Sequence, residues 1–106
     1  MITQLRPLEL KEFIDTEEDI HLIDVREEWE HHFAKLENSE LIPLGLFNRH
    51  ALGLNSTKKI VIYCHRGIRS YEACEYLQQI GFTEVYNLEG GIDAWSKEVN
   101  NKVVLY

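Results

Sequence analysis

The sequence has little of what scaffolds small extracellular folds: in 106 residues there are only two cysteines, Cys64 and Cys74. Two thiols cannot build a disulfide framework, so packing must hold the chain together and both are expected to stay reduced. Positive charge is also scarce. Eleven Lys and Arg stand against eighteen Asp and Glu, a net charge of −7, which argues against a general nucleic-acid or anionic-membrane binder. Any anion handled here must meet a local basic site. No apolar stretch approaches the roughly 20 residues of a membrane span. The start, Met1-Ile2-Thr3-Gln4-Leu5-Arg6-Pro7, lacks a basic region followed by an apolar run. These absences read as a soluble cytoplasmic protein. No repeat, linker or low-complexity tract interrupts the chain, so a single domain over residues 1–106 is expected.

What is present is an alternation of short periodic segments. Pro7 opens a helix, and Leu10, Phe13 and Ile14 follow at helical spacing until the acidic run Asp15 to Asp19. Ile20-His21-Leu22-Ile23-Asp24 and Ile60-Val61-Ile62-Tyr63 are branched apolar runs of the kind found in strands covered on both faces. Leu41-Ile42 and Glu84 to Asn87 are weaker strand candidates. Helical patterns run from Glu27 to about Phe33, Leu44 to about Leu52, Ser70 to Ile80 and Ile92 to about Val99. The third carries an apolar stripe of Ala73, Tyr76, Leu77 and Ile80, with Gly81 as its C-cap. Strands alternating with helices predict an α/β fold, a mostly parallel central sheet flanked by helices on both faces. Binding sites in such sheets lie where strands end.

One strand end stands out. Ile60 to Tyr63 runs into Cys64-His65-Arg66-Gly67-Ile68-Arg69 and then into the helical pattern from Ser70. A turn containing Gly67 can direct successive N–H groups into a nest, and the following helix adds its positive end. That cradle favours thiolate over thiol, and Arg66 and Arg69 add fixed positive charge. The same groups would hold an oxyanion or stabilise moving negative charge. A buried, inert cysteine flanked by solvated arginines is the competing reading; the conjunction of strand, Cys, two Arg, Gly and helix speaks against it.

The six-residue stretch Cys64 to Arg69 resembles the active-site loop of the rhodanese sulfurtransferases, often Cys-x-x-Gly-x-Arg. Leu22 to Glu27 is similar to the family's Asp-Val-Arg-Glu element, Ile42-Pro43-Leu44 to its Ile-Pro-Leu, and Leu88 to Trp95 to its Gly-Gly-x-x-x-Trp. These elements lie in family order over roughly residues 5 to 97. One stretch departs: where many relatives carry Gly-His-Ile-x-Gly-Ala, this chain has Ala34-Lys35-Leu36-Glu37-Asn38-Ser39 at equal spacing. His31 and His32 are offset from the missing histidine and inherit no role.

The resemblance implies a rhodanese-type thiosulfate sulfurtransferase without metal or organic cofactor. Cys64 takes a sulfane sulfur from thiosulfate or a protein persulfide, holds it as a persulfide, and yields it to cyanide or a thiol. Arg69 and then Arg66 are the first choices for the donor's oxyanion, since guanidinium forks suit such groups. His65, Gly67 and Ile68 complete the binding loop, while Asp24 and Arg26 are expected to support it. Gly90-Gly91 suits a tight turn, Trp95 a core anchor, and Cys74 a core position rather than a resolving thiol. The alternative function is a persulfide carrier or regulatory module with little small-molecule turnover. Phosphatase or arsenate-reductase chemistry would need a wider cradle than the four residues between Cys64 and Arg69. Oligomeric state is open, as is the placement of Val103-Val104-Leu105-Tyr106.

Overall fold

The computed structural model describes residues 2–16, 18–101 and 103, so the expectation for the tail from Val104 to Tyr106 lies outside the described residues. Among the described residues five strands form one sheet: β1 (Thr3–Leu5), β2 (Ile20–Asp24), β3 (Glu40–Leu41), β4 (Lys59–Tyr63) and β5 (Val85–Leu88). Their order is β1-β5-β4-β2-β3, and every neighbouring pair is parallel. The helices are α1 (Pro7–Asp15), α2 (Glu28–Phe33), α3 (Phe47–Ala51), α4 (Ile68–Gln79) and α5 (Gly91–Glu98), with a 3-10 turn at Leu44–Leu46 before α3. The α/β expectation holds, with helices on both faces. Among the described residues no helix is long and apolar enough to cross a membrane.

The central strand shows why its sequence is apolar without interruption. From Ile60 to Tyr63 every residue is buried, because side chains alternate between two covered faces. Ile60, Ile62 and Cys64 join one core with Ala73, Cys74 and Leu77 of α4 and Phe47 and Ala51 of α3. Val61 and Tyr63 join the other, with Leu10 of α1 and Ile92 and Trp95 of α5. Trp95 thus occupies the core position expected of it. Alternation alone therefore assigns the Cys64 side chain to the α4 face.

Some boundaries differ from the pattern-based expectation. The strand Thr3–Leu5 has one buried residue and too little periodicity to show; pairing with β5 creates it. The stretch from Leu44 to Leu52 is a 3-10 turn followed by a short helix rather than one helix. Helix α4 begins at Ile68, two residues earlier than expected. In the divergent segment, Asn38 adopts a left-handed φ of 65° at the position matching the second glycine of the related pattern. Asn is among the few side chains that tolerate that conformation, so the turn survives the substitution.

Candidate active site

Cys64 follows directly on β4, at the C-terminal edge of the sheet, and is 1% exposed. The chain then turns through Gly67, whose φ of 95° makes it a left-handed N-cap for α4. Glycine is needed there both for the backbone conformation and for space: a Cβ would lie 3.2 Å from Gly90 N and 3.3 Å from Leu88 O. Gly67 has no capping side chain, and the sulfur takes its place. Cys64 Sγ accepts the Gly67 N–H at 3.1 Å and the Ser70 N–H, from the third residue of α4, at 3.4 Å. Two of the amide donors that a helix leaves unsatisfied at its start thus point at sulfur, as does the Ser70 hydroxyl at 3.3 Å. Donors of this kind favour negative charge on the atom they surround.

The loop is clamped from its other side. Ile92 N–H donates to Cys64 O at 2.9 Å and Asp93 N–H donates to His65 O at 3.1 Å, so the first turn of α5 is satisfied by the loop's own carbonyls. With those carbonyls turned to α5, the Gly67 amide of the turn faces the sulfur. Gly91, with φ of 63°, makes the close approach possible. The glycine pair read as a tight turn is also the floor on which the Cys64 loop rests.

The other loop residues divide. Arg66 is exposed and makes no ion pair among the described residues, which leaves it available to an incoming anion. Ile68 is 80% exposed. Arg69 is engaged: its fork meets Glu30 of α2 with bonds of 2.7 and 2.9 Å. Glu30 is buried, and its Oε1 also accepts the Glu27 N–H at 2.9 Å, capping α2. The end-on fork of Arg69 can turn to a donor only by leaving this carboxylate. His65 is shifted below the ordinary histidine range, first by burial and then by the Arg66 charge, so its ring is neutral at neutral pH.

Asp24 and Arg26 stand apart from the sulfur. Asp24 pairs in register with Tyr63, whose ring belongs to the face opposite Cys64. Both Asp24 and Arg26 are fully buried. Asp24 Oδ1 accepts the Arg26 N–H and Nε–H, each at 2.9 Å, and Oδ2 accepts the Arg26 guanidinium at 2.8 Å. His31 Nδ1 lies 2.8 Å from the same Oδ2, and the Tyr63 hydroxyl donates to it at 3.2 Å. Burial, then the Asp24 charge, pushes the Tyr63 hydroxyl up to about 12, so it remains a donor. Its oxygen accepts Leu36 N–H at 3.1 Å, and Ser39 Oγ lies 2.9 Å away. Arg26 also donates to Ala34 O. The network ties β2 and β4 to the divergent 34–39 segment.

Three residues near the site were not singled out in the sequence. Glu30 shows only as the fourth residue of a helix-start pattern, and its partner lies 39 positions away. Ser70 and Asn87 bond each other beside Cys64. Asn87 does carry a signal: an amide in an otherwise apolar strand, 1% exposed, must find partners. Cys74 is buried, and that burial pushes its thiol up to about 12, consistent with a core residue. A cavity of about 570 Å³, lined in part by Lys11, Ile20, Leu36 and Trp95, lies between α1 and α5 and touches none of these residues.

Comparison with known proteins gives the same family from sequence and from shape. Residues 6–98 match the family model described as a rhodanese-like domain. The probable adenylyltransferase/sulfurtransferase MoeZ of Mycobacterium tuberculosis is 34% identical over 104 residues, covering 96% of this chain but 26% of that protein. The chain thus spans about a quarter of that relative. The putative sulfurtransferase YtwF of Bacillus subtilis is 36% identical over 101 residues, with 95% of this chain and 97% of that one covered. A rhodanese-related protein from Thermoplasma volcanium superposes with a TM-score of 0.84 at 33% identity, covering 98% and 99% of the two chains.

Proposed function

This chain belongs to the rhodanese-like domain family, and from that premise we propose that it transfers sulfane sulfur through a persulfide on Cys64. The Cys64 thiolate attacks the outer sulfur of thiosulfate or of a protein persulfide. The donor's S–S bond breaks and its remainder leaves with the electron pair, as sulfite or a thiolate. Cyanide or a thiol then takes the terminal sulfur, and Cys64 returns as thiolate. The observation that carries this reading is the convergence of the Gly67 and Ser70 N–H groups on Sγ, an arrangement suited to the negative charge that Sγ carries as the attacking and as the returning thiolate. Because Cys64 is 1% exposed, a narrow terminal sulfur is the fitting electrophile. Incubation with thiosulfate or a protein persulfide should add ~32 Da, one sulfur, to the Cys64 peptide. Absence of that adduct with both donors would end the proposal.

The alternative, a persulfide carrier or regulatory module with little small-molecule turnover, draws support from the Arg69–Glu30 pair, which occupies the fork best suited to a small oxyanion. Glu30→Gln keeps the acceptor for the Glu27 cap and removes the competing charge. If Arg69 serves thiosulfate, this variant should lower its KM by about fivefold, the scale of a partly exposed ion pair. An unchanged KM together with preserved transfer from a protein persulfide would favour the carrier.

A further inference from the structure

Asn87 lies on the face of β5 that meets α4, and its amide is fixed at three points. Nδ2 donates to Gly67 O at 3.0 Å and to Gln4 Oε1 at 3.0 Å. Gly67 O is a carbonyl and only accepts, so the NH2 end must face it and Oδ1 must face Ser70. Ser70 is fully buried, with Oγ bonded to Asn87 Oδ1 and 3.3 Å from Cys64 Sγ. One hydroxyl carries one hydrogen. While Cys64 is a thiol, Ser70 can give that hydrogen to Asn87 and accept the S–H. Once the proton has left for water, the sulfur has no hydrogen to offer and needs a donor. The Ser70 O–H then turns to Sγ, and Asn87 Oδ1 loses its partner.

We propose that Asn87 is a positioning residue that sets the thiol–thiolate balance of Cys64 by competing with its sulfur for the Ser70 hydroxyl hydrogen, with Gln4 and Gly67 holding the amide in place. The proposal rests on Cys64 as the working nucleophile, but the equilibrium it describes exists without any donor. Gly67 and Ser70 amides supply a constant field, and the hydroxyl is the element that switches. The charges that act on the neighbouring His65, which are Arg66, Asp93, Glu30 and Arg69, and the Arg69–Glu30 pair are the same in every variant needed to test it.

The test is a pH titration of thiolate absorbance between about pH 4 and 9, a range in which Cys74, pushed up to about 12 by burial, is silent. Ser70→Ala removes the donor and should raise the Cys64 midpoint, lowering the thiolate fraction about tenfold at a fixed pH below it, the scale of a hydrogen bond to a charged group; Ser70→Thr should restore it. Asn87→Leu removes the competitor and should move the midpoint the opposite way, and in a Ser70→Ala background it should do nothing. An Asn87→Leu shift that is upward, or equal with and without Ser70, would overturn the proposal. If Asn87→Leu does not fold, identical midpoints for Ser70→Ala and Ser70→Thr would overturn it as well. A protein that titrates as expected yet accepts no sulfur would sink the sulfur-transfer reading and leave this one intact.

Discussion

Gly91→Ala is expected to abolish sulfur loading at Cys64 and to remove much of the fold's stability. A Cβ at this position falls well inside 3.0 Å of both the Cys64 and His65 carbonyl oxygens. Those atoms are backbone, so no side chain can swing aside. The φ of 63° adds the penalty that left-handed backbone imposes on a residue with a Cβ. Overpacking of about 1–3 kcal/mol and about 1–2 kcal/mol of backbone strain give about 2–5 kcal/mol together. The molecule relieves the clash most directly by pushing the loop off α5, which breaks the Ile92 and Asp93 hydrogen bonds and turns the amide cradle away from sulfur. Urea denaturation should show the lower midpoint, and mass spectrometry at low temperature should show no sulfur adduct on the folded fraction. A variant with unchanged stability and normal loading would mean that α5 does not hold the loop.

Asp24→Ala is expected to cost about 3–5 kcal/mol, the range for breaking a buried ion pair by removing one member. Arg26 is 0% exposed, and without Asp24 its buried charge loses that carboxylate, while Ala34 O and the Tyr63 ring, whose centroid lies 5.4 Å from the guanidinium carbon, are neutral. The loss is a large part of the roughly 5–15 kcal/mol that stabilises a typical domain. Replacing both members, Asp24→Leu with Arg26→Met, should be less damaging than Asp24→Leu alone, since no charge is then stranded. Chemical denaturation of the three variants checks the order. Asp24→Asn with wild-type stability but no sulfur loading would place Asp24 in the chemistry and refute the supporting role.

Local features were legible in the sequence, and distant pairings were not. The strand from Ile60, the cysteine after Tyr63, the glycine turn and the helix beyond it are all encoded within a dozen residues, so pattern and spacing suffice. The same holds for α1, where Pro7 opens the helix and Leu10 is buried. The strand Thr3–Leu5 exists because Leu5 pairs with Leu88, a partner more than eighty residues away. Arg69 invites an anion-binding reading on its own segment; only the packing of α2 against the loop brings Glu30 to it. Ser70 and Asn87 meet for a similar reason, since they are 17 positions apart and join only when α4 lies on β5.

The short outer strands have a bearing on solubility. Among the described residues the sheet ends on one side in β1, three residues long, and on the other in β3, two residues long, so its edges there offer little unpaired backbone to a second molecule. The apolar stretch Lys59-Ile60-Val61-Ile62-Tyr63 has strands on both sides and helices on both faces. Aggregation of this protein should therefore follow its global unfolding rather than fraying at its edges, and a mutation that lowers stability should shorten its shelf life in proportion.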